Sequence, residues 1–462
     1  APGNVPTGDC GTADLYVDSI VESEVQTHEF RVNAPLSDTM SLTAGVFMSD
    51  LELTEHNMFT YPGALVSDIG YGLNYTLTDT SVTGVPLTGS NSWAGAGWHS
   101  GRGPYSPPVM FVNDIKRTDK QQGIFGEVSI DVSDTSELTV GARWYDIEVD
   151  LEGSANSSFS TGFIPAGAPH NDRQRYGTNL SNKYNGPGGN SGNPALDAMD
   201  HPDKAETDGV IGKVTYSWNT SEDIMYYVTW SEGFRPGLLN RPGGDSNATY
   251  TVPFITESDE VTNYEFGWKT LLSDGRLRFN GSLFMVDIAG LQTSILDPSI
   301  TNLFFSDNAA DAEITGLEGD FVYYPDAEGW MISGAFSMLD TEITKTLTSS
   351  GDVVAGKELA FAPGMQGNLS ARKEWAMTSG NMGHFQTQFT FSDDSYSDII
   401  EPNKAQQDSY SYVNVRAGVS NDMWLAEVYI DNLTDERGEI SNNYVFDRMR
   451  VTYIRPTTIG LR

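Results

Sequence analysis

The sequence is short of cysteine, of positive charge and of long apolar runs, and each shortage removes a class of protein. Its one cysteine is Cys10. No disulfide can form within the chain, and a lone thiol is more often packed or incidental than catalytic. In an oxidising compartment its partner would lie outside these residues. Lysine and arginine total 27 against 63 aspartates and glutamates, for a formal net charge of -36. Phosphate backbones require clustered basic side chains, which argues against a nucleic-acid partner. The acid surplus reads as solubility in salty surroundings. No segment reaches the roughly 18 apolar residues of a spanning helix. No basic start followed by an apolar stretch marks a signal peptide. A helical membrane protein is thereby excluded, but a β-barrel is not, because alternating strands never look apolar in a hydropathy window.

Signatures of catalysis and of bound cofactors are also missing. The six histidines are scattered without zinc-like spacing, and no Ser, His and Asp set sits in a nucleophile-elbow context. The glycine-rich run Gly186–Pro187–Gly188–Gly189–Asn190–Ser191–Gly192 lacks the lysine and the strand–helix setting of a phosphate loop. Acidic runs such as Glu257–Ser258–Asp259–Glu260 and Asp393–Asp394 could hold calcium, but without the spacing of a known cage. The expectation is a protein that is not an enzyme, with no cofactor.

What is present is a repeated hairpin. The chain holds 47 Gly, 21 Tyr, 21 Phe and 9 Trp with 38% hydrophobic residues, a composition suited to many thin, turn-punctuated strands. Ile124, Val128, Ile130 and Val132 share one strand face, and Glu127, Ser129 and Asp131 the other. After Ser133–Asp134–Thr135–Ser136, Leu138, Val140, Ala142 and Trp144 repeat the pattern opposite Thr139, Gly141 and Arg143. The unit recurs around turns at 219–223, 273–275, 325–329 and 420–422. Long segments rich in Gly, Asn, Asp, Ser and Pro separate these hairpins, near 54–107, 153–206, 235–257, 288–309, 343–357, 393–408 and 434–448. Short turns on one rim and long loops on the other are the asymmetry of an outer-membrane barrel.

The fold expected is therefore all-β: one transmembrane, antiparallel, up-and-down β-barrel domain over residues 1–462, with about 15–16 strands at barrel strand lengths. Lys213, Thr215, Asn263, Glu265, Lys269, Arg278, Asn280, Gln386, Gln388, Asn414 and Arg416 would face a wet lumen or a plug. Trp144 with Tyr145, Trp218, Tyr323 with Tyr324, Trp330, Trp375 and Trp424 would form interfacial girdles. Beyond Trp144 the apolar phase moves to Tyr145, Ile147, Val149 and Leu151, which reads as a bulge or as the strand leaving the bilayer.

Several stretches resemble TonB-dependent outer-membrane receptors. They are Glu29–Phe30–Arg31–Val32–Asn33–Ala34–Pro35 with Leu42–Thr43–Ala44–Gly45–Val46–Phe47, and Tyr227 through Gly237. Glu260 through Leu291 follows, containing Asn263–Tyr264–Glu265–Phe266–Gly267–Trp268–Lys269. Next come Thr315–Gly316–Leu317–Glu318–Gly319 and Asp431–Asn432–Leu433–Thr434–Asp435, the last with Arg455–Pro456–Thr457–Thr458–Ile459–Gly460–Leu461. The resemblance implies a bacterial outer-membrane location and a barrel of about 22 strands. It also implies a plug domain and a TonB-contacting box, neither of which is seen here, so the sequence reads as an incomplete receptor. TonB, acting through that missing segment, and outer-membrane lipid and lipopolysaccharide are the implied partners.

Ligand contacts are expected in loop residues that join aromatic surface to hydrogen-bonding groups: Trp93, Trp98, His99, Arg102 and Tyr105, then Arg235, Asn240 and Arg241. Resemblance places Arg235 toward the lumen near the plug; plain loop packing is the alternative for all eight. The function expected is energised uptake of a scarce, bulky nutrient such as a ferric siderophore, with vitamin or oligosaccharide cargo as variants. The competing class is a passive porin or adhesive barrel.

Overall fold

A computed structural model describes residues 16–60, 62, 97–103, 105, 108–157, 204–240, 253, 255–296, 304–348, 351–445 and 448–462. Cys10 and the Gly186–Gly192 run lie outside them. Fifteen strands form one continuous antiparallel sheet in strict chain order. They are β1 (Tyr16–Ser37), β2 (Met40–Thr60), β3 (Val109–Ser133), β4 (Ser136–Ser157), β5 (Ala205–Ser221), β6 (Ile224–Arg235), β7 (Asp259–Leu272) and β8 (Leu277–Leu296). The sheet continues through β9 (Phe304–Tyr323), β10 (Trp330–Thr346), β11 (Met365–Ala376), β12 (Met382–Ser392), β13 (Tyr410–Ser420), β14 (Leu425–Asp431) and β15 (Thr458–Leu461). Among the described residues, β1 pairs only with β2, and β15 only with β14.

All the short turns share one rim, and hydrogen bonds join each to the next. Asp131 N–H donates to Thr39 O (2.8 Å), Asn219 N–H to Thr135 O (2.7 Å) and Leu271 N–H to Asp223 O (2.8 Å). Tyr324 N–H donates to Arg276 O (2.9 Å) and Glu374 N–H to Gly329 O (2.8 Å). Asn421 Nδ2 completes the series on Asn381 Oδ1 at 3.2 Å. Turn chemistry explains the tightness. Ser273, Asp274 and Gly275 all have positive φ (56°, 58° and 81°), the left-handed conformation that small polar residues and glycine tolerate. Gly329 (φ 74°) packs so close that a Cβ would sit 2.1 Å from Glu374 O.

Because directly opposed residues share a face, the register tests the alternation across the whole sheet. It carries one apolar face from strand to strand: Val46, Ile124, Trp144, Val210, then Val214, Trp230, Tyr264 and Met285. The same register places Phe279 beside Phe321, Phe321 beside Gly334, and Val415 beside Thr387 and Ile430. Ile130, Phe279, Phe321 and Val415 all lie on this face, and Asn280, Gln388 and Arg416 on the other. Aromatic rings run along the apolar face near the short-turn rim, Tyr216–Trp218–Tyr226–Phe266–Trp268–Phe279, with neighbouring centroids 5.3–6.4 Å apart.

Toward the long loops the two faces exchange character. The apolar face continues as Asp146, Glu148 and Asp150 on β4 and as Asp287 beside Glu313 on β8 and β9. Meanwhile the other face becomes apolar: Tyr145, Ile147, Val149 and Ala205 are buried against Phe234, Leu238, Leu239 and Ile255. No bulge causes this, since the pairing of β4 with both neighbours runs without a shift past Trp144. Tyr145 therefore does not belong to the girdle; one step along a strand turns it to the opposite face, where it stacks on Phe234 at 3.7 Å. A second buried cluster (Ile295, Phe305, Ala309, Ala310, Ile343, Val353, Ile399, Ile400) ties the segments 351–364 and 393–409 to the tops of β8–β10. The expected loop at 288–309 is accordingly mostly strand, β8 and β9 pairing as far as Leu296 and Phe304 beyond a register shift near Gly290.

Candidate functional site

The polar face between the short-turn rim and the inversion is an interlocked surface. Tyr227 donates to Glu265 (2.5 Å) and Arg278 pairs with Asp320 (2.9 Å). Arg372 reaches Glu374 (2.8 Å) and Gln386 (3.1 Å), and Arg416 reaches Asp431 (3.4 Å). A recess of about 310 Å³ is lined by Tyr227, Lys269, Asn280, Ser282, Glu318 and Asp320. His384 and Glu427 form a buried pair at 2.9 Å across Gly418, where a Cβ would meet the imidazole at 2.5 Å. Such a wall can hold water or a polypeptide by hydrogen bonds. Among the described residues no group of three or more His, Cys, Asp or Glu is arranged to hold a metal.

At the long-loop end the structure brings together part of the expected ligand set. Trp98 stacks on His56 with centroids 6.1 Å apart. His56 Nδ1 lies 2.8 Å from Asp114 Oδ1, and Ser100 Oγ donates to Asp114 Oδ2 at 2.7 Å. Burial, reinforced by Asp114, pushes the Tyr105 hydroxyl up to about 12. Arg102 and Tyr105 are half-buried and His99 is exposed. Trp93 and Arg241 lie outside the described residues.

Arg235, on the polar-face register of β6, donates through Nε to the buried Asp259 carboxylate at 2.6 Å, and through its backbone N–H at 2.9 Å. Its Nη2 also reaches Gln292 O at 3.1 Å, yet the side chain stays 55% exposed. Asn240 is spent on backbone: its Nδ2 donates to Pro253 O (2.9 Å) and Ser306 O (2.6 Å), and its Oδ1 accepts from Ser306 N–H (2.8 Å). The sequence marks Asp259 only as part of an acidic run and gives no signal for Gln292 and Asn308; the three tie Arg235, Pro236 and Glu257 to β7, β8 and β9. Gln292 Nε2 donates to Pro236 O and Glu257 O (3.0 and 2.9 Å), and Asn308 Nδ2 to Glu257 O (3.0 Å). Charged or amide residues in polar stretches look like solvated loop until their backbone partners are known.

A sheet with one apolar face bearing aromatic rings, an opposite hydrated face, and short turns confined to one rim is the wall of an outer-membrane β-barrel. The family described as TonB dependent receptor-like, beta-barrel matches residues 7–433, and the chain belongs to that family. Its place is the bacterial outer membrane. Among known proteins it is similar to the probable TonB-dependent siderophore receptor PiuA of Acinetobacter baumannii, 22% identical over 247 residues, or 51% of this chain and 31% of that protein. The solved ferric yersiniabactin uptake receptor FyuA of Yersinia pestis superposes on 97% of the chain with a TM-score of 0.66 at 13% identity. The solved siderophore receptor PiuA covers 96% with a TM-score of 0.62 at 15% identity. The chain spans about half the length of these solved receptors (55% and 56%) and about a third of the curated relative.

Proposed function

We propose that this chain forms the wall of a receptor that imports a ferric siderophore, or a similar iron complex, across the outer membrane by a TonB-dependent step. The supporting observation is that nearly the whole wall superposes on proteins named as siderophore or ferric-complex receptors, and that the sequence relative carries a name of the same class. The wall contributes a conduit and a rim. Its interior bonds are local and reversible, and a polar interior can hold a filling segment that must later move. The rim residues His99, Arg102 and Arg235, with the ring of Trp98, are the surface offered to cargo: hydrogen-bond donors and an aromatic plane suit a bulky anionic chelate. Asn240 has a different task, holding that rim in shape. Nothing in the described wall is a source of energy, so work on the cargo enters through the partner.

The test is genetic and chemical. Deleting the gene should abolish saturable uptake of one iron-loaded siderophore under iron limitation, and the full-length gene should restore it. Uptake that stays saturable and undiminished in the deletion strain would remove this protein from the route.

A further inference from the structure

All but one of the arginines on the polar face of the described strands end on a carboxylate. Arg31 is held by Glu29 (2.5 Å), Arg117 by Asp119 (2.6 Å) and Arg235 by Asp259. Arg278, Arg372 and Arg416 pair with Asp320, Glu374 and Asp431 (2.9, 2.8 and 3.4 Å). The exception is Arg143 on β4. Among the described residues no carboxylate reaches it, and its Nε is buried without a hydrogen-bond partner. Glu127, in the next register row, lies 3.8 Å from Lys213 instead. In a chain of formal net charge -36, an unneutralised guanidinium on the lumen side is the unusual feature.

Its neighbours hold it ready. The guanidinium lies over the Phe47 ring, 5.3 Å from the centroid, as Arg31 lies over Phe125 at 5.9 Å. Two glycines make room for these flat contacts. A Cβ at Gly123 would sit 3.2 Å from Arg143 Nε, and one at Gly45 would sit 2.6 Å from the Phe125 ring. A ring beneath the guanidinium fixes its plane and leaves an N–H edge for an oxyanion. The group is already half-buried, so an arriving anion displaces less water. The register sets its depth. Gly141, Lys213 and Ser231 form one row across β4, β5 and β6. Arg143 is one alternate residue from that row toward the long loops, and Arg235 is two. Arg143 therefore lies one alternate step, about 7 Å along a strand, nearer the short-turn rim than Arg235.

We propose that Arg143 is an inner binding station on the cargo path, where the oxyanions of an anionic iron chelate pass from Arg235 to a second guanidinium backed by Phe47. The proposal rests on the uptake reading above and adds to it a charge requirement and a place below the rim. Lys213, further along the same line, already has Glu127 beside it, so the station is a single guanidinium. A carboxylate fixed in the lumen would suit the same group, and the experiment separates the two.

The experiment measures import of radio-iron-loaded tris-catecholate and citrate chelates by cells carrying the full-length protein. Rates are set against the number of surface sites counted in cells lacking TonB. Arg143→Gln should lower the maximal import rate about fivefold, the loss of one charge-assisted contact, and leave surface affinity unchanged. Arg143→Lys should recover most of the rate. Gly123→Ala, which crowds Nε without altering charge, should lower it too, and Lys120→Gln, on the outward face, should not. An Arg143→Gln rate equal to the parent's, or a loss of surface affinity in its place, would overturn the station. New sensitivity of Arg143→Gln cells to a large neutral antibiotic would assign the guanidinium to holding a filling segment, and would overturn it as well. Import of neither chelate by the parent would overturn the anionic class. Gene-dependent uptake that ignores Arg143 sinks the station alone, whereas uptake independent of the gene sinks the proposed function.

Discussion

Arg276, in the turn between β7 and β8, holds Asp326, in the turn between β9 and β10, through an ion pair that spans two hairpins. Residues 50 apart in sequence can meet this way only if both turns lie on one rim. The pair itself is exposed and contributes at most about 1 kcal/mol, so its value is topological. Cysteines placed at Asp274 and Asp326 should react with a membrane-impermeant thiol reagent only after the outer membrane is permeabilised. Cysteines at His99 and Asn403 should react on intact cells. Labelling of Asp274 and Asp326 from opposite sides would break the topology.

The apolar register makes a paired prediction about charge. Phe321→Arg places a guanidinium on the lipid face and should destabilise the folded barrel by roughly 2–4 kcal/mol if the position lies near mid-bilayer. Asn280→Arg, next to Asp320 on the lumen face, should fall within about 0.5 kcal/mol of the parent. Urea titration of the refolded protein in lipid vesicles reads both. Equal costs would mean that the faces are wrongly assigned.

Much of this wall was legible because two periodicities coincide: apolar residues at every second position, and turn residues wherever the chain reverses. Both are local, so Ser273–Asp274–Gly275 announces its hairpin without knowledge of its neighbours. The upper halves of β8 and β9 were hidden for a physical reason. There Gly290 (φ 68°) creates an irregularity, and Asn308 uses its amide to tie Glu257 and Gly290. Both residues look like loop in sequence. The exchange of faces beyond Trp144 was visible as a phase change but not in its meaning, because burial of Tyr145 depends on Phe234 from another hairpin. In the rim, the aromatic and basic residues near Trp98 and Arg235 stood out, while Asp114 did not and Asp259 stood out only as part of an acidic run.

Arg235 and Asp259 should behave as one unit. Asp259 is 1% exposed, so Arg235→Ala leaves its carboxylate buried beside fewer donors, at an expected cost of about 3–5 kcal/mol to local structure. Adding Asp259→Ala should recover part of that loss in a double-mutant cycle. Hydrogen exchange over 236–240 is the readout. Strict additivity would show that the two do not interact.

The Asp431–Asp435 stretch owes its residues to one asparagine. Asn432 has a positive φ (52°), and its amide serves Glu436 O (2.9 Å), Arg455 O (2.8 Å) and Glu436 N–H (2.9 Å). Asn432→Ala leaves these half-buried groups unpaired and strains the backbone, costing on the order of 2–4 kcal/mol. Asn432→Gly should recover only the backbone part. A Gly variant no more stable than Ala would refute the strain component.

Two loop carboxylates should respond to acid in opposite directions. Thr457 donates its backbone N–H and its hydroxyl to Asp435, holding that group below the usual carboxylate value of 3.8. Its stabilising effect is complete above 3.8 and fades as pH falls through the lowered folded value. Burial raises Asp398, so its ionisation opposes the folded 393–409 segment above the raised value, and the penalty disappears below 3.8. Carbon-13 titration should place Asp398 above Asp435, and Thr457→Val should bring Asp435 upward. Identical midpoints near 3.8 would remove both effects.

Import driven from outside the wall is the central claim, and transport in cells with and without TonB tests it most directly. With an iron-loaded siderophore as the probe, cells lacking TonB should bind it at the surface with unchanged affinity and import none, while TonB-containing cells import it to saturation. Import that continues at full rate without TonB, rising linearly with external concentration, would contradict the account and identify the barrel as a passive pore.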